Sequence, residues 1–290
     1  PTISNCTFKD VEYGIYAFAS SNPIIENCKF QNSRYTPVLM SVSANPTFSG
    51  NTFTNSGVTA LGICSEHLPT SGTIRKRDVA GYNNITYALM GDLYINSETE
   101  VTVEPGVVIK IWDNSSIYVE GGFKADGGGG ERIVFTSIKD DNFGNPWDTN
   151  GDGNATAPAV NNWKTINFKA TSDDSFSMMD SCTVKFSGYN SMGAITYTDA
   201  AAKVSNTLIS DSYFGVKCEG SSTPNIDGVT IQNCNADPIA MSLKSDPAFT
   251  NIMFAANGSS GIKILEGTLS SNATLSKRNI AGISNIAYIV

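Results

Sequence analysis

The segment Asp148–Asn154 carries the clearest chemical pattern in the chain. It reads Asp-Thr-Asn-Gly-Asp-Gly-Asn, so residues with side-chain oxygens alternate with others around two glycines. Oxygens at this spacing wrap a hard cation in the first half of an EF-hand loop. The pattern predicts that Asp148, Asn150 and Asp152 give side-chain oxygens to Ca²⁺ and that Asn154 gives a carbonyl oxygen.

The end of this loop departs from the EF-hand pattern. Ala159 stands at the twelfth position, where an EF-hand has a bidentate Glu. We expect Asp140 or Asp141 to replace that ligand from the other side of the loop. If Ca²⁺ binds, its expected role is structural, because it would hold in place the long polar insertion 138–162. The alternative interpretation is a polar surface loop that is closed by Asx-turns.

Other residue types that carry out catalysis do not form a site in the sequence. The adjacent acids Asp140-Asp141 and Asp173-Asp174 have the residue type of glycosidase carboxylate pairs. Neighbours on a strand point to opposite faces, so neither pair forms a site alone. His67 is the only histidine, which excludes His-ligated metal centres and triads that depend on histidine. We therefore predict no catalytic residue.

Two aromatic side chains are candidates for contact with a ligand. Tyr16 and Phe18 alternate with Ile15 and Ala17, so they share one face of a predicted strand. If Ile15 points inward, both rings point outward, where aromatic rings stack on sugars or anchor protein partners. The alternative interpretation is a flank that a loop covers.

The composition excludes several classes of partner. The chain has 290 residues, a formal net charge of −8 and 16% charged residues. An acidic surface repels phosphate backbones, so we expect no nucleic-acid partner. No run of 18 apolar residues occurs, so we expect no membrane-spanning segment. The six cysteines lack the spacing of a zinc site or a disulfide framework, and we expect buried, reduced thiols.

An internal repeat indicates which structural elements position these residues. Residues 1–89 align without a gap with residues 202–290, at an offset of 201. The basic pair Lys76-Arg77 returns as Lys277-Arg278, which favours a structural role for both pairs. We interpret 1–201 as one full long repeat and 202–290 as the first part of a second copy. Because the second copy stops inside an apolar stretch, we expect further copies in the parent protein.

A shorter period lies inside the long one. The string Ile3-Ser4-Asn5-Cys6-Thr7-Phe8 is followed 22 residues later by Ile25-Glu26-Asn27-Cys28-Lys29-Phe30. Apolar and polar residues alternate within each string, as in a strand with one buried face. Asn, Ser, Gly and Pro bound the strings, as in turns. Equivalent side chains of successive strings are therefore expected to stack in ladders.

Strands at this spacing without intervening helices predict an all-β fold, a right-handed parallel β-helix with coils of about 22 residues. The solenoid is expected to be continuous over 1–290, with 138–162 as a loop insertion. The rival fold is an array of β-sandwiches, which requires hairpin turns every 8–12 residues. A sandwich does not account for the return of the same string one coil later.

The middle of the chain also carries a resemblance to a known family. The runs Val103–Lys110, Ile117–Gly122 and Ile133–Ser137 resemble right-handed parallel β-helix repeat proteins of bacterial surfaces. That resemblance implies an acidic loop such as Asp140–Asn154 followed by a tryptophan such as Trp163. The same fold carries pectate lyases, polygalacturonases, adhesins and phage tailspikes, so it does not decide the function.

The combined sequence evidence favours a non-catalytic module at a cell surface or in the extracellular space. Such a module would act as a rigid stalk, an adhesin or a filament subunit. Its expected partners are other copies of the repeat, or other protein molecules, joined end to end. The alternative function is a β-helix protein that binds or degrades polysaccharide.

Overall fold

The computed structural model describes residues 1–269 and 271–290. The chain winds into a right-handed parallel β-solenoid of about 12 turns, with coils of about 23 residues and almost no helix. The predicted parallel β-helix is therefore confirmed, with coils slightly longer than the predicted 22 residues. No helix in the two described stretches is long and apolar enough to cross a membrane.

Each coil contributes three short strands, and three long parallel sheets result. A ten-stranded sheet contains β3 (Ile15–Ala17), β6 (Val38–Met40), β9 (Leu61–Ile63), β12 (Tyr87–Leu89), β15 (Val108–Ile111), β18 (Ile133–Ser137), β21 (Cys182–Lys185), β24 (Leu208–Ser210), β27 (Thr230–Gln232) and β30 (Met253–Ala255). A nine-stranded sheet contains β10 (Glu66–His67), β13 (Leu93–Ile95), β16 (Ile117–Val119), β19 (Ile166–Phe168), β22 (Gly193–Thr198), β25 (Phe214–Glu219), β28 (Ile239–Met241), β31 (Ile262–Ile264) and β32 (Tyr288–Ile289). A seven-stranded sheet contains β11 (Gly72–Ile74), β14 (Glu100–Val103), β17 (Gly122–Asp126), β20 (Met178–Asp180), β23 (Lys203–Ser205), β26 (Asn225–Asp227) and β29 (Ala248–Thr250).

The first three coils have two small sheets in place of the nine-stranded and seven-stranded sheets. One contains β1 (Thr2–Ser4), β4 (Ile24–Glu26) and β7 (Thr47–Ser49), and the other contains β2 (Thr7–Lys9), β5 (Lys29–Gln31) and β8 (Thr52–Thr54). Within the described residues, a single 3₁₀ turn spans Gly128–Gly130, and the ten-stranded sheet alone runs through both parts of the solenoid.

The strand registers reproduce the ladders expected from the sequence. Ile3 pairs with Ile25, which pairs with Phe48. On the next face, Phe8 pairs with Phe30, and the two rings stack with centroids 5.0 Å apart. Ile25 and Phe30 are fully buried, and each such side chain contributes about 1.5–3 kcal/mol to folding. The same rows of aliphatic and aromatic side chains form one continuous core along the solenoid.

A left-handed residue makes the tight corner between the first two strands of the early coils. Asn5 and Asn27 have φ values of 55° and 51°, and Gly50 occupies the same place in the third coil with φ of 62°. Asparagine and glycine tolerate this conformation better than other residues. The repeated Asn of the sequence strings therefore sets the direction of the chain at each corner.

The segment 1–89, which recurs as 202–290, has a loop near its end that recurs with it. Residues 75–86 lie beside the strand edges of the small sheets, where Phe48–Asn51 and Asp78–Asn83 line a common gap. Arg77 holds the loop by donating hydrogen bonds to the hydroxyl of Tyr87 at 3.0 Å and to the carbonyl oxygen of Pro46 at 2.8 Å. Arg278 makes the corresponding bonds to Tyr288 and Pro247 at the same distances. Both arginines are thus structural, as their recurrence indicates.

The cysteines follow the prediction except at one position. All six are free, and five are buried. Burial raises the pKa of the Cys234 thiol to about 12, so this group stays protonated and unreactive at neutral pH. Cys6, in the first described coil, is exposed, whereas its equivalent Cys28 in the second coil is buried, so the expectation of a buried thiol is wrong at Cys6.

Candidate metal centre

The polar insertion folds back over the outer face of the ten-stranded sheet. The loop between β18 and β19 covers residues 138–165, and at its start Ile138 packs in a small apolar cluster with Val58, Ala60 and Ala88. This cluster lies outside the main core. The insertion therefore contacts coils that precede it by three turns, and it buries part of the sheet's outer face.

Backbone hydrogen bonds fix the middle of the insertion to the sheet. Thr86 donates its amide to the carbonyl oxygen of Asn145 at 3.0 Å, and its hydroxyl accepts the Asn145 amide at 2.7 Å. The amide of Thr59 donates to the carbonyl oxygen of Thr149 at 2.8 Å. These bonds place the acidic segment that follows Pro146 above the sheet.

Three of the six predicted metal ligands meet in this position. One carboxylate oxygen from each of Asp141, Asp148 and Asp152 lies within 4.8 Å of the other two. Three buried oxygens here have no hydrogen-bond partner: Oδ1 of Asp141, Oδ1 of Asp152 and Oδ1 of Asn150. Since buried oxygens without partners are unfavourable, these atoms fit the ligand preference of a hard cation.

The loop backbone orients the acidic side chains. The carboxylate of Asp148 accepts the amides of Asp152 at 3.1 Å and Gly153 at 2.9 Å. The side-chain amide of Asn150 donates to Oδ2 of Asp152 at 2.7 Å, which leaves the other Asp152 oxygen free. The hydrogen bond from the Thr156 hydroxyl is the main cause of the lowered pKa of Asp152, so this carboxylate is ionised at neutral pH.

Two of the three remaining predicted ligands, Asp140 and Asn154, have different environments. Asp140 is fully buried and accepts hydrogen bonds from the Thr136 hydroxyl at 2.5 Å and from the side-chain amide of Asn142 at 2.8 Å. Its carboxylate therefore holds the turn that opens the insertion. Asn154 is exposed and lies outside the group of three carboxylates. Of the two candidate replacements for the missing Glu, the structure places Asp141 with the cluster.

A buried lysine beneath the insertion was not singled out by the sequence. Lys110 is 0% exposed, and its ammonium donates a hydrogen bond to the carbonyl oxygen of Trp147. Burial lowers the pKa of Lys110 to about 8, although Asp141, Asp140 and Asp148 act in the opposite direction. Burial also raises the pKa of Asp141, and repulsion from Asp148 adds to that shift. Lys110 is thus the internal counter-charge of the acidic cluster.

The predicted aromatic pair is exposed. Tyr16 and Phe18 are 53% and 59% exposed, while Ile15 and Ala17 point into the core. The two rings meet edge to face with centroids 5.7 Å apart. In the second copy the equivalent side chains, Lys217 and Glu219, form an ion pair at 2.9 Å. The outward placement agrees with the prediction, and the aromatic pair belongs to the first coil only.

The adjacent acids Asp173 and Asp174 do not form a carboxylate pair. Asp173 accepts hydrogen bonds from the amide and hydroxyl of Ser175. Asp174 accepts the amide of Ala201 at 2.8 Å. The single histidine, His67, stacks on Tyr94, which in turn stacks on Tyr118, with centroids 4.1 and 4.8 Å apart. The two aspartates thus hold turns in place, and the stacked rings join adjacent coils.

Comparison with known proteins gives a family match that covers most of the chain. The family described as a right handed beta helix region matches residues 1–111 and 159–288. The unmatched segment contains most of the insertion and its acidic cluster. Neither the curated proteins nor the solved structures contain a match.

Proposed function

The chain belongs to the right-handed β-helix family, and on that basis we propose that it is a non-catalytic module of an extracellular or cell-surface structure. In this role the solenoid acts as a rigid stalk, adhesin or filament subunit. Its partners are further copies of the repeat, or other protein molecules, joined end to end.

One observation carries the proposal: outward carboxylates bind the polar side chains of the next coil. Asp227 accepts hydrogen bonds from the hydroxyl of Thr250 at 2.7 Å and the side-chain amide of Asn251 at 2.9 Å. These bonds lower the pKa of Asp227. Asp10 accepts in the same way from Asn32, one coil later. Acids used as links between coils increase the rigidity of the rod and are not free to act as general acids or bases.

We further propose that Ca²⁺ binds between Asp141, Asp148 and Asp152 and that its role is structural. The support is the convergence of three carboxylates around buried oxygens that lack partners. A bound cation would offset the repulsion among the acids and would hold the insertion on the ten-stranded sheet. Extracellular Ca²⁺ is abundant enough for a site with a dissociation constant of about 10⁻⁴–10⁻³ M, which fits the proposed location.

Polysaccharide binding is the second candidate function, and a groove on the nine-stranded sheet favours it. This groove has a volume of about 690 Å³, and its lining includes Tyr213, Lys217, Glu219, Lys263 and Glu266. Lysines with a neighbouring aromatic ring suit an acidic sugar chain. The ion pair between Lys217 and Glu219 neutralises one of the two lysines, which makes the groove a weaker anion site.

A glycan array combined with a lyase and hydrolase screen on the purified chain tests the proposal. A structural module should release no new reducing ends or unsaturated products from pectin-like and other acidic glycans. Turnover that the variant Lys217→Ala abolishes would refute the non-catalytic function. Array binding without turnover, lost in Lys217→Ala and Lys263→Ala, would support the second candidate function.

A further inference from the structure

The solenoid has an internal joint after its third coil, between residues 63 and 64. The two small sheets end at β7 and β8, and the nine-stranded and seven-stranded sheets begin at β10 and β11. Within the described residues, only the ten-stranded sheet crosses this point, through the pairing of β9 with β12. Later neighbouring coils pair through all three sheets, as β16, β17 and β18 do with β19, β20 and β21. The joint thus has one strand pair where these later coils have three.

The loop 75–86 takes the place of the missing strands only in part. Residues 48–51 of the third coil and residues 78–83 of the loop line a gap of about 250 Å³. Atoms along a gap lack the van der Waals contacts that stacked coils make. Arg77 crosses the joint by its hydrogen bond to the carbonyl oxygen of Pro46. This side of the joint is therefore held by a few polar contacts and not by a continuous ladder of strands.

A short segment of the insertion crosses the joint on the outer face of the ten-stranded sheet. On the side of the fourth coil, the carbonyl oxygen of Asn145 accepts the amide of Thr86 at 3.0 Å, and the side-chain amide of Asn145 donates to the carbonyl oxygen of Asn83 at 2.7 Å. Four residues later, the carbonyl oxygen of Thr149 accepts the amide of Thr59, in the third coil, at 2.8 Å. The segment is thus bonded to both sides of the joint.

The start of the insertion packs across the same joint. Ile138 is 4% exposed and lies in an apolar cluster with Val58 and Ala60 of the third coil and Ala88 of the fourth coil. The burial of this side chain depends on both coils, because each supplies part of the cluster. Separation of the two coils would therefore expose Ile138 as well as break the hydrogen bonds of the insertion.

We propose that the insertion is a brace across this joint, which holds residues 1–63 and the later coils in one rod. When the brace is released, one strand pair and a few polar contacts remain across the joint, and residues 1–63 open as a unit while the later coils stay folded. The brace goes beyond the proposed structural function, because it states where the rod yields and which segment prevents it. It depends neither on the partner of the module nor on Ca²⁺.

Hydrogen–deuterium exchange of the 290-residue chain, measured without added Ca²⁺, tests the brace. The brace variant is Thr86→Val with Asn145→Ala, which removes the hydroxyl that accepts the Asn145 amide and the side-chain bond to Asn83. The amides of residues 24–63 should exchange at least about tenfold faster than in the unmodified chain, because fewer bonds oppose opening of the joint. The amides of residues 166–232 should keep their rates, since three strand pairs join each of those coils to the next.

The matched control removes similar bonds between coils away from the joint. It is Thr207→Val with Asn257→Ala: the Thr207 hydroxyl accepts the amide of Cys182 at 3.2 Å, and the side-chain amide of Asn257 donates to the carbonyl oxygen of Ile231 at 3.0 Å. This control should leave the exchange of residues 24–63 unchanged. An equal acceleration of that segment in the control and in the brace variant would overturn the proposal.

A second variant removes the apolar part of the brace alone. Ile138→Ala keeps the hydrogen bonds of the insertion and should give the same selective acceleration of residues 24–63. If both variants left that segment unchanged, or accelerated residues 166–232 to the same extent, the insertion would not act as a brace. A general loss of folding shows itself in the second outcome, so it counts against the proposal. Because Ca²⁺ is absent throughout, failure of the cation site would leave these results unaffected.

Discussion

The ammonium group of Lys110 donates a hydrogen bond to the carbonyl oxygen of Trp147 and so joins the ten-stranded sheet to the insertion above it. The lysine is fully buried, and three aspartates of the insertion stabilise its charge. A buried cation beside carboxylate oxygens that lack partners, such as Oδ1 of Asp141 and Oδ1 of Asp152, competes with any metal ion that binds there. Lys110 and a metal ion bound between the aspartates would thus share the role of balancing the negative charge of the insertion.

We predict that Lys110→Met increases Ca²⁺ affinity about threefold to tenfold, because it removes a positive charge near the site while it retains most of the buried side chain. Isothermal titration calorimetry gives the dissociation constant. The variant should also be less stable without Ca²⁺, since the Trp147 carbonyl loses its donor and the acids lose their counter-charge. A lower Ca²⁺ affinity in Lys110→Met would show that the lysine supports the site instead of competing with the cation.

Ca²⁺ affinity should increase with pH. The pKa of Asp141 lies above its usual value of 3.8 because of burial, so protonation of this ligand weakens binding as the pH falls through that raised value. Without Ca²⁺, the pH dependence of stability has the opposite sign. The contribution of Asp141 to the free energy of unfolding is fully present below pH 3.8 and is lost as the pH rises through the folded-state pKa of this carboxyl group. Calorimetric titrations across the acidic range check this trend. An affinity independent of pH would exclude Asp141 as a ligand.

The two leucines that the repeat makes equivalent should respond differently to truncation. Leu68→Ala creates a cavity in the core and should cost about 2–5 kcal/mol in the free energy of unfolding. Leu269→Ala removes a side chain that is 48% exposed and should change that free energy by less than about 0.5 kcal/mol. Denaturant unfolding of both variants makes the comparison. Equal losses would mean that Leu269 is covered in the 290-residue chain in solution.

The hold of Arg77 on the loop 75–86 should depend on the shape of the guanidinium group as well as on its charge. Arg77→Lys keeps the charge but cannot bond Tyr87, Pro46 and Asn45 together, and we expect a loss of about 2 kcal/mol in the free energy of unfolding. The control Arg34→Lys changes an exposed arginine paired with Glu12 and should have almost no effect. Similar denaturation midpoints for Arg77→Lys and the unmodified protein would contradict this structural role of Arg77.

The fold was predictable because its determinants are local and repeat along the chain. The alternation around Ile3 and Ile25 identifies the inward residues, and Asn5 and Asn27 mark corners that need a left-handed residue. Stacking equivalent residues then gives the register directly. Equivalent strands of the two copies lie in different sheets: β9 is in the ten-stranded sheet, and its equivalent β31 is in the nine-stranded sheet. This shift was not predictable, because it depends on how residues 64–180 distribute their strands among the sheets.

The acidic site was predictable only in part. The spacing of Asp148, Asn150 and Asp152 indicated a cation loop, but the approach of Asp141 and the separate role of Asp140 depend on how the insertion folds back. Lys110 alternates with inward residues of β15, so the sequence places it outward. Its burial follows from contact with a loop distant in sequence, which the local pattern of a strand cannot indicate.

The most direct test of the structural function is the thermal unfolding temperature with and without Ca²⁺, measured for the unmodified chain and for Asp148→Asn with Asp152→Asn. At about a hundredfold excess over the dissociation constant, Ca²⁺ should add about 2.7 kcal/mol and raise the unfolding temperature of the unmodified chain by about 5 °C or more. The double variant should show no increase, and Asp173→Asn, which removes one acid elsewhere, should respond like the unmodified chain. An unfolding temperature that Ca²⁺ leaves unchanged in the unmodified chain, or raises equally in the double variant, would contradict the cation-stabilised module.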